Sequence, residues 1–108
     1  MNSIFEKGKV LKLSELVDYS EEGINSKQVL KSEAGNITLF SFDKGQGLSE
    51  HTAPFDAMVQ VLDGKVEIKI NGNPIVLEEN ETIIMPAHIS HALYAIAKFK
   101  MLLTMIKS

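Results

Sequence analysis

The stretch Lys65-Val66-Glu67-Ile68-Lys69-Ile70-Asn71-Gly72-Asn73-Pro74-Ile75-Val76-Leu77 decides the fold class. Val66, Ile68 and Ile70 alternate with Lys65, Glu67 and Lys69. That period of two puts apolar side chains on one face of a strand and charged ones on the other. Asn71-Gly72 follows, and Asn-Gly between apolar runs is the strongest short hairpin signal, because both residues tolerate positive φ. Ile75, Val76 and Leu77 then form the returning strand.

The pattern continues on both sides of this hairpin. Thr82 to Met85 reads as a short buried strand stopped by Pro86, and Met58 to Leu62 as another, closed by Asp63-Gly64. Ile37 to Phe42 is a strand between Gly35-Asn36 and the glycines Gly45 and Gly47. Met101 to Ile106 is a long apolar run without breakers, placed deep in the domain or at a subunit contact. Short strands at close spacing predict an all-β fold, a sandwich or small antiparallel barrel. Near the N-terminus, Ser14 is a candidate cap for one short turn carrying Leu16 and Val17, ended by Gly23. Residues 18–28 are polar and read as loop. The 108 residues suit a single domain, with residues 1–34 as an N-terminal extension packed on a barrel of residues 35–108.

Composition narrows the function. With 11 basic and 14 acidic residues the net charge is −3, which gives no electrostatic footprint for nucleic acid. No Lys/Arg cluster suggests a membrane surface, and no apolar segment reaches the length of a membrane span. Met1 to Lys7 lacks the apolar run of a signal peptide, so a cytoplasmic location is expected. The chain has no cysteine, which removes disulfides, thiolate ligands and thiol nucleophiles together.

Two spacings resemble the motifs of the cupin family. The family's first motif runs Gly, five residues, His, one, His, three or four, Glu, six, Gly. Here Gly45 precedes His51 at that distance and Gly64 closes the motif, while Ala53 stands at the second His position and Ala57 at the Glu position. The second motif runs Gly, five, Pro, one, Gly, two, His, three, Asn. Here Asn80, Pro86, His88, His91 and Ala95 stand at those positions. Asn and His are among the few residues that tolerate the positive φ expected where the family has glycine. The resemblance covers residues 35–105 and implies a double-stranded jelly-roll barrel. In the family, metal-binding members supply three His and one Glu, and this chain keeps half of that set.

What remains defines the candidate site. His51 and His91 would converge in the barrel mouth, as metal ligands, as general bases, or as hydrogen-bonded core residues. Imidazole suits a divalent ion such as Zn, Fe, Ni or Cu, and Mn is a further candidate. Two protein ligands are fewer than the three that catalytic zinc sites keep. Asp56 is the candidate third ligand if a bulge near Pro54-Phe55 turns it inward, which would give the two-His-one-carboxylate set of non-haem iron enzymes. Glu50 is expected to be exposed, and Gln60 offers an amide oxygen. Met58, Met85, Met101 and Met105 either line an apolar pocket or fill the core. His88 reads as a turn residue, and Lys98 and Lys100, flanking Phe99, as a solvated face. Ser90 points away from His91; Ser49 shares a face with His51, but no third triad member is identifiable.

These features favour a small-molecule-binding cupin with weak divalent-metal binding through His51 and His91. The alternatives are a metal-dependent oxygenase or isomerase-type enzyme acting on a small organic substrate, and a non-catalytic ligand-sensing module. Open sheet edges and the rich apolar run Met101 to Ile106 lead to the expectation of a homodimer.

Overall fold

The computed structural model describes residues 4–107. A 3-10 turn, Leu13–Glu15, precedes nine strands. They are β1 (Ile24–Ser32), β2 (Gly35–Phe42), β3 (Gly47–His51), β4 (Phe55–Asp63), β5 (Lys65–Ile70), β6 (Asn73–Glu78), β7 (Thr82–Met85), β8 (His91–Ala95) and β9 (Phe99–Lys107). They form a five-stranded sheet, β1-β2-β9-β4-β7, facing a four-stranded sheet, β3-β8-β5-β6. The pairings are antiparallel. Apart from the β1–β2 and β5–β6 hairpins, each connection carries the chain from one sheet to the other. This is the all-β fold that the strand spacing predicts, in the double-sheet jelly-roll form that the cupin resemblance implies. Among the described residues, no helix is long and apolar enough to cross a membrane.

The deciding hairpin forms as its sequence requires. Ile70 pairs with Asn73, leaving Asn71 (φ 51°) and Gly72 (φ 79°) as a two-residue turn with both centres left-handed. The inward faces of the strands meet in one core. Val59 and Val61 of β4, Val66 and Ile68 of β5 and Met101 of β9 are fully buried there. Phe42 and Phe99 stack at its centre, 4.6 Å apart and nearly parallel. Burying large aromatic and branched side chains is the main stabilising contribution in a domain of this size.

Residues 18–28, read as loop, include the start of a strand. β1 is an edge strand exposed on most of its length, so its residues show no period-two pattern; pairing with β2 makes it a strand. The division at residue 34 therefore falls within the β1–β2 hairpin, and residues 4–23 are the part that packs on the sheet from outside. Ser14 does not cap a helix. It lies inside the 3-10 turn, whose N-cap residue, Lys12, makes no side-chain cap bond.

The packed segment has its own apolar contact. Phe5, Val17 and Leu39 form a second buried cluster, with Leu11, Leu13, Leu16, Val29, Leu62 and Leu102 around it. Lys98 is exposed, as its alternation with Phe99 predicts, while Lys100 is half-buried. Their ammonium groups lie 4.8 and 4.9 Å from the centroid of the Tyr19 ring. Lys100 also donates to the Ser14 carbonyl at 2.6 Å. The Tyr19 hydroxyl donates to Asp63 at 2.6 Å. Burial, then the bond and charge of Asp63, push the Tyr19 pKa well above the ordinary tyrosine range.

The corner between β4 and β5 is the single residue Gly64, with φ +84°. A Cβ there would overlap the Lys98 carbonyl oxygen and crowd Phe99, whereas one on Gly72 (φ +79°) would meet open space. Gly72→Ala is expected to cost about 1–2 kcal/mol, the penalty of a left-handed alanine. Gly64→Ala should cost clearly more, because the backbone must also move. Urea denaturation of both variants checks the order, and equal losses would contradict it.

Candidate functional site

β3 and β8 pair so that His51 is the register partner of His91. Their rings meet edge to face, with centroids 4.3 Å apart and planes at 68°. His91 is buried, at 7% exposure, while His51 stands at the exposed mouth. Each ring is tied to its own chain two residues back. Nδ1 of His51 lies 2.7 Å from the Ser49 carbonyl oxygen, and Nδ1 of His91 lies 3.3 Å from that of Ile89. A nitrogen facing a carbonyl oxygen carries the hydrogen, so each neutral ring keeps its lone pair on Nε2.

The two imidazoles bound a cavity of about 50 Å³ whose other walls are Leu48, Ala53, Ala57, Met85, Leu93, Met101, Leu103 and Met105. The alanines at the family's second His and Glu positions thus face the same space as the histidines that remain. Three of the four methionines named from sequence line it. Met58 does not: it pairs with Thr104 and Ile84 on the outer face of the five-stranded sheet. Gln60 belongs to that outer face too, opposite Leu102 and Thr82. The leucine walls were not singled out in the sequence; alternation from His91 along β8 points to Leu93, whereas Leu48 joins the wall through a register shift between Leu48 and His51 that alternation does not reveal.

Asp56 does not complete a ligand set. No bulge turns it inward; its register runs regularly from Phe55 to Val61 against β9. Its carboxylate accepts from the Ala87 amide at 2.9 Å, fastening the turn before β8. In that turn His88 is exposed, adopts φ 66°, and donates its amide to Ala53. Asn80 has φ 70°, so both replacements at family glycine positions occupy the backbone region glycine would supply. Among the described residues, no group of three or more His, Cys, Asp or Glu stands ready for a metal ion. The three-His-one-Glu site of metal-binding family members does not fit this donor set. A larger, shallow groove of about 530 Å³ runs along Leu30 to Ile37 and Thr104 to Ile106, with no His, Asp or Glu in its lining.

Comparison with known proteins agrees with this fold. A family model described as a cupin domain matches residues 38–107. The chain belongs to the cupin family. It is 42% identical to a conserved protein of unknown function from Streptococcus pyogenes, covering 95% of this chain and 90% of that one, with a TM-score of 0.91. A cupin superfamily protein from Desulfitobacterium hafniense is 28% identical over 95% of this chain and 94% of its own, with a TM-score of 0.89. A cupin 2 conserved barrel domain protein from Leptotrichia buccalis is 39% identical, with a TM-score of 0.87; it matches 90% of this chain, which spans 47% of that longer one. No curated protein matches.

Burial holds the His91 pKa below the ordinary histidine value; the Ile89 carbonyl opposes this, and His51 adds to it. The folded state therefore takes up this proton at lower pH than the unfolded chain does. The stability it lends is complete above a pH of about 6.5 and is lost as pH falls through the lower folded value. Asp43, also lowered, titrates only in the carboxylate range and does not contribute in that window. Denaturation midpoints are expected to fall on acidification from pH 7 to 5, and this limb should flatten in His91→Gln. An unchanged limb in that variant would assign it to another group.

Proposed function

We propose that this chain is a small-molecule-binding cupin, and that the polar end of its ligand enters the His51/His91 cavity. One observation carries the reading: the two imidazoles and the vacated positions Ala53 and Ala57 share one space between otherwise apolar walls. Few polar groups on an apolar wall are what fixes a ligand's orientation. About 50 Å³ accommodates one functional group, since a water molecule's share of the liquid is about 30 Å³. The rest of the molecule would lie at the mouth beside His51. A hydroxyl or ammonium group suits the two Nε2 acceptors. Divalent ions should bind weakly here, with only two protein nitrogens to hold them.

A catalytic reading has one observation in its favour. Burial lowers the His91 pKa and so favours the neutral imidazole, the state a general base needs. The oxygenase reading has lost its carboxylate, because Asp56 is committed to Ala87.

The test is a screen of small alcohols, amines and acids by thermal shift, run with a metal chelator present. A true ligand at a hundred times its Kd should stabilise the protein by about 2.7 kcal/mol. It should lose that effect in Ala57→Leu, which fills the cavity, and in His51→Ala. A compound that stabilises Ala57→Leu equally would place binding elsewhere and reject this reading.

We propose a homodimer through the bare part of the five-stranded sheet. Leu30, Ile37, Thr104, Met58 and Ile84 are successive register partners across all five strands. Ile84 is 65% and Leu30 48% exposed, while the adjoining part of that face is covered by the chain's own residues 4–23. A two-fold axis lying in this face, along or across β9, sets aliphatic against aliphatic, so the row complements itself. Light scattering after size exclusion is expected to show a dimer that Ile84→Lys converts to monomer. A monomeric native chain at tens of micromolar would overturn it.

A further inference from the structure

We propose that the cavity is a site for a soft monovalent metal ion, copper(I), held by the imidazoles of His51 and His91 and the thioethers of Met85 and Met105. The sheet register supports this. In the five-stranded sheet, Ala57 pairs with Met85 on one side and with Met105 on the other, and all three line the cavity. In the facing sheet, His51 and His91 form the opposing row. Where the family places a carboxylate, this chain places a methyl group between two sulfur-bearing side chains.

The imidazoles are set as ligands. Each commits Nδ1 to a backbone carbonyl, which fixes ring orientation and leaves Nε2 free. Metal-binding histidines are held in the same way. The 4.3 Å separation decides how one ion would be shared. Two imidazoles on opposite sides of an ion, with metal–nitrogen bonds of about 2 Å, would have their centroids about 6 Å apart. Rings 4.3 Å apart would have to bind one ion from the same side, which would leave its other side to the methionine row.

Charge and softness choose the ion. No Asp or Glu lines the cavity, so the four donors are neutral. The desolvation cost of an ion rises with the square of its charge, so a monovalent ion incurs about a quarter of the penalty of a divalent one of equal size. Thioethers are soft donors, which select copper(I) over zinc or iron(II). A cavity of about 50 Å³ admits a bare ion and excludes a hydrated dication with its shell. The reaction is coordination alone, with no change of oxidation state.

The experiment titrates the full chain anaerobically with copper(I) against a chromophoric copper(I) chelator, with zinc(II) in parallel. One copper(I) per chain is expected, bound at least a hundredfold more tightly than zinc(II). The double variant Met85→Leu/Met105→Leu conserves volume and should retain the fold by circular dichroism. It is expected to lose at least tenfold in copper(I) affinity while zinc(II) binding is unchanged. His51→Ala/His91→Ala should abolish the site, and Met58→Leu, on the outer face, should not affect it. Silver(I), read by native mass spectrometry, should repeat the pattern. Zinc(II) binding as tight as copper(I), or a folded methionine variant with native copper(I) affinity, overturns the proposal. Because the organic-ligand screen contains chelator and this titration contains no organic ligand, the two readings fail separately.

Discussion

β9 is hydrogen-bonded on both sides, to β2 and to β4, and most of the structure depends on that double register. Its inward residues Phe99, Met101, Leu103 and Met105 supply the stacked aromatic, the core floor and part of the cavity wall. Its outward residues Lys100 and Leu102 hold the N-terminal segment. A slip of one residue would exchange these two sets, since strand side chains alternate strictly. The core, the cavity and the packing of residues 4–23 are therefore specified together.

The candidate site sits where the two sheets face each other. One wall is a row on the five-stranded sheet, Met85-Ala57-Met105, and the other is the His51/His91 pair on the four-stranded sheet. No single strand contains it. Exchange of a carboxylate position for alanine turns a charged site into a neutral one. A neutral, largely apolar cavity favours a ligand's donor group or a weakly charged soft ion over a hard dication.

Legibility of the sequence followed burial. Where one face of a strand is buried and the other solvated, as in β5, period-two alternation reveals it directly. The Asn71-Gly72 turn and the left-handed Asn80 and His88 were also readable, because few residues accept positive φ. β1 was not, because an edge strand exposed on both faces carries no period. The apolar richness of Met101 to Ile106 was read as a sign of a second copy. Part of it is explained within one chain: Leu102 packs under the N-terminal segment while its neighbours face the core.

The sequence by itself determined an all-β chain of the cupin pattern and named the two histidines, because alternation, turn chemistry and motif spacing are local properties of the chain. Tertiary structure alone decided what stands around them. It turned Asp56 to the Ala87 amide, drew Lys98 and Lys100 over Tyr19, and set Met85 and Met105 on either side of Ala57. These placements depend on register between strands far apart in sequence. Burial of one face and turn geometry fix the register within each pair, but which strands pair, and so which residues become neighbours, is decided only when the whole sheet assembles.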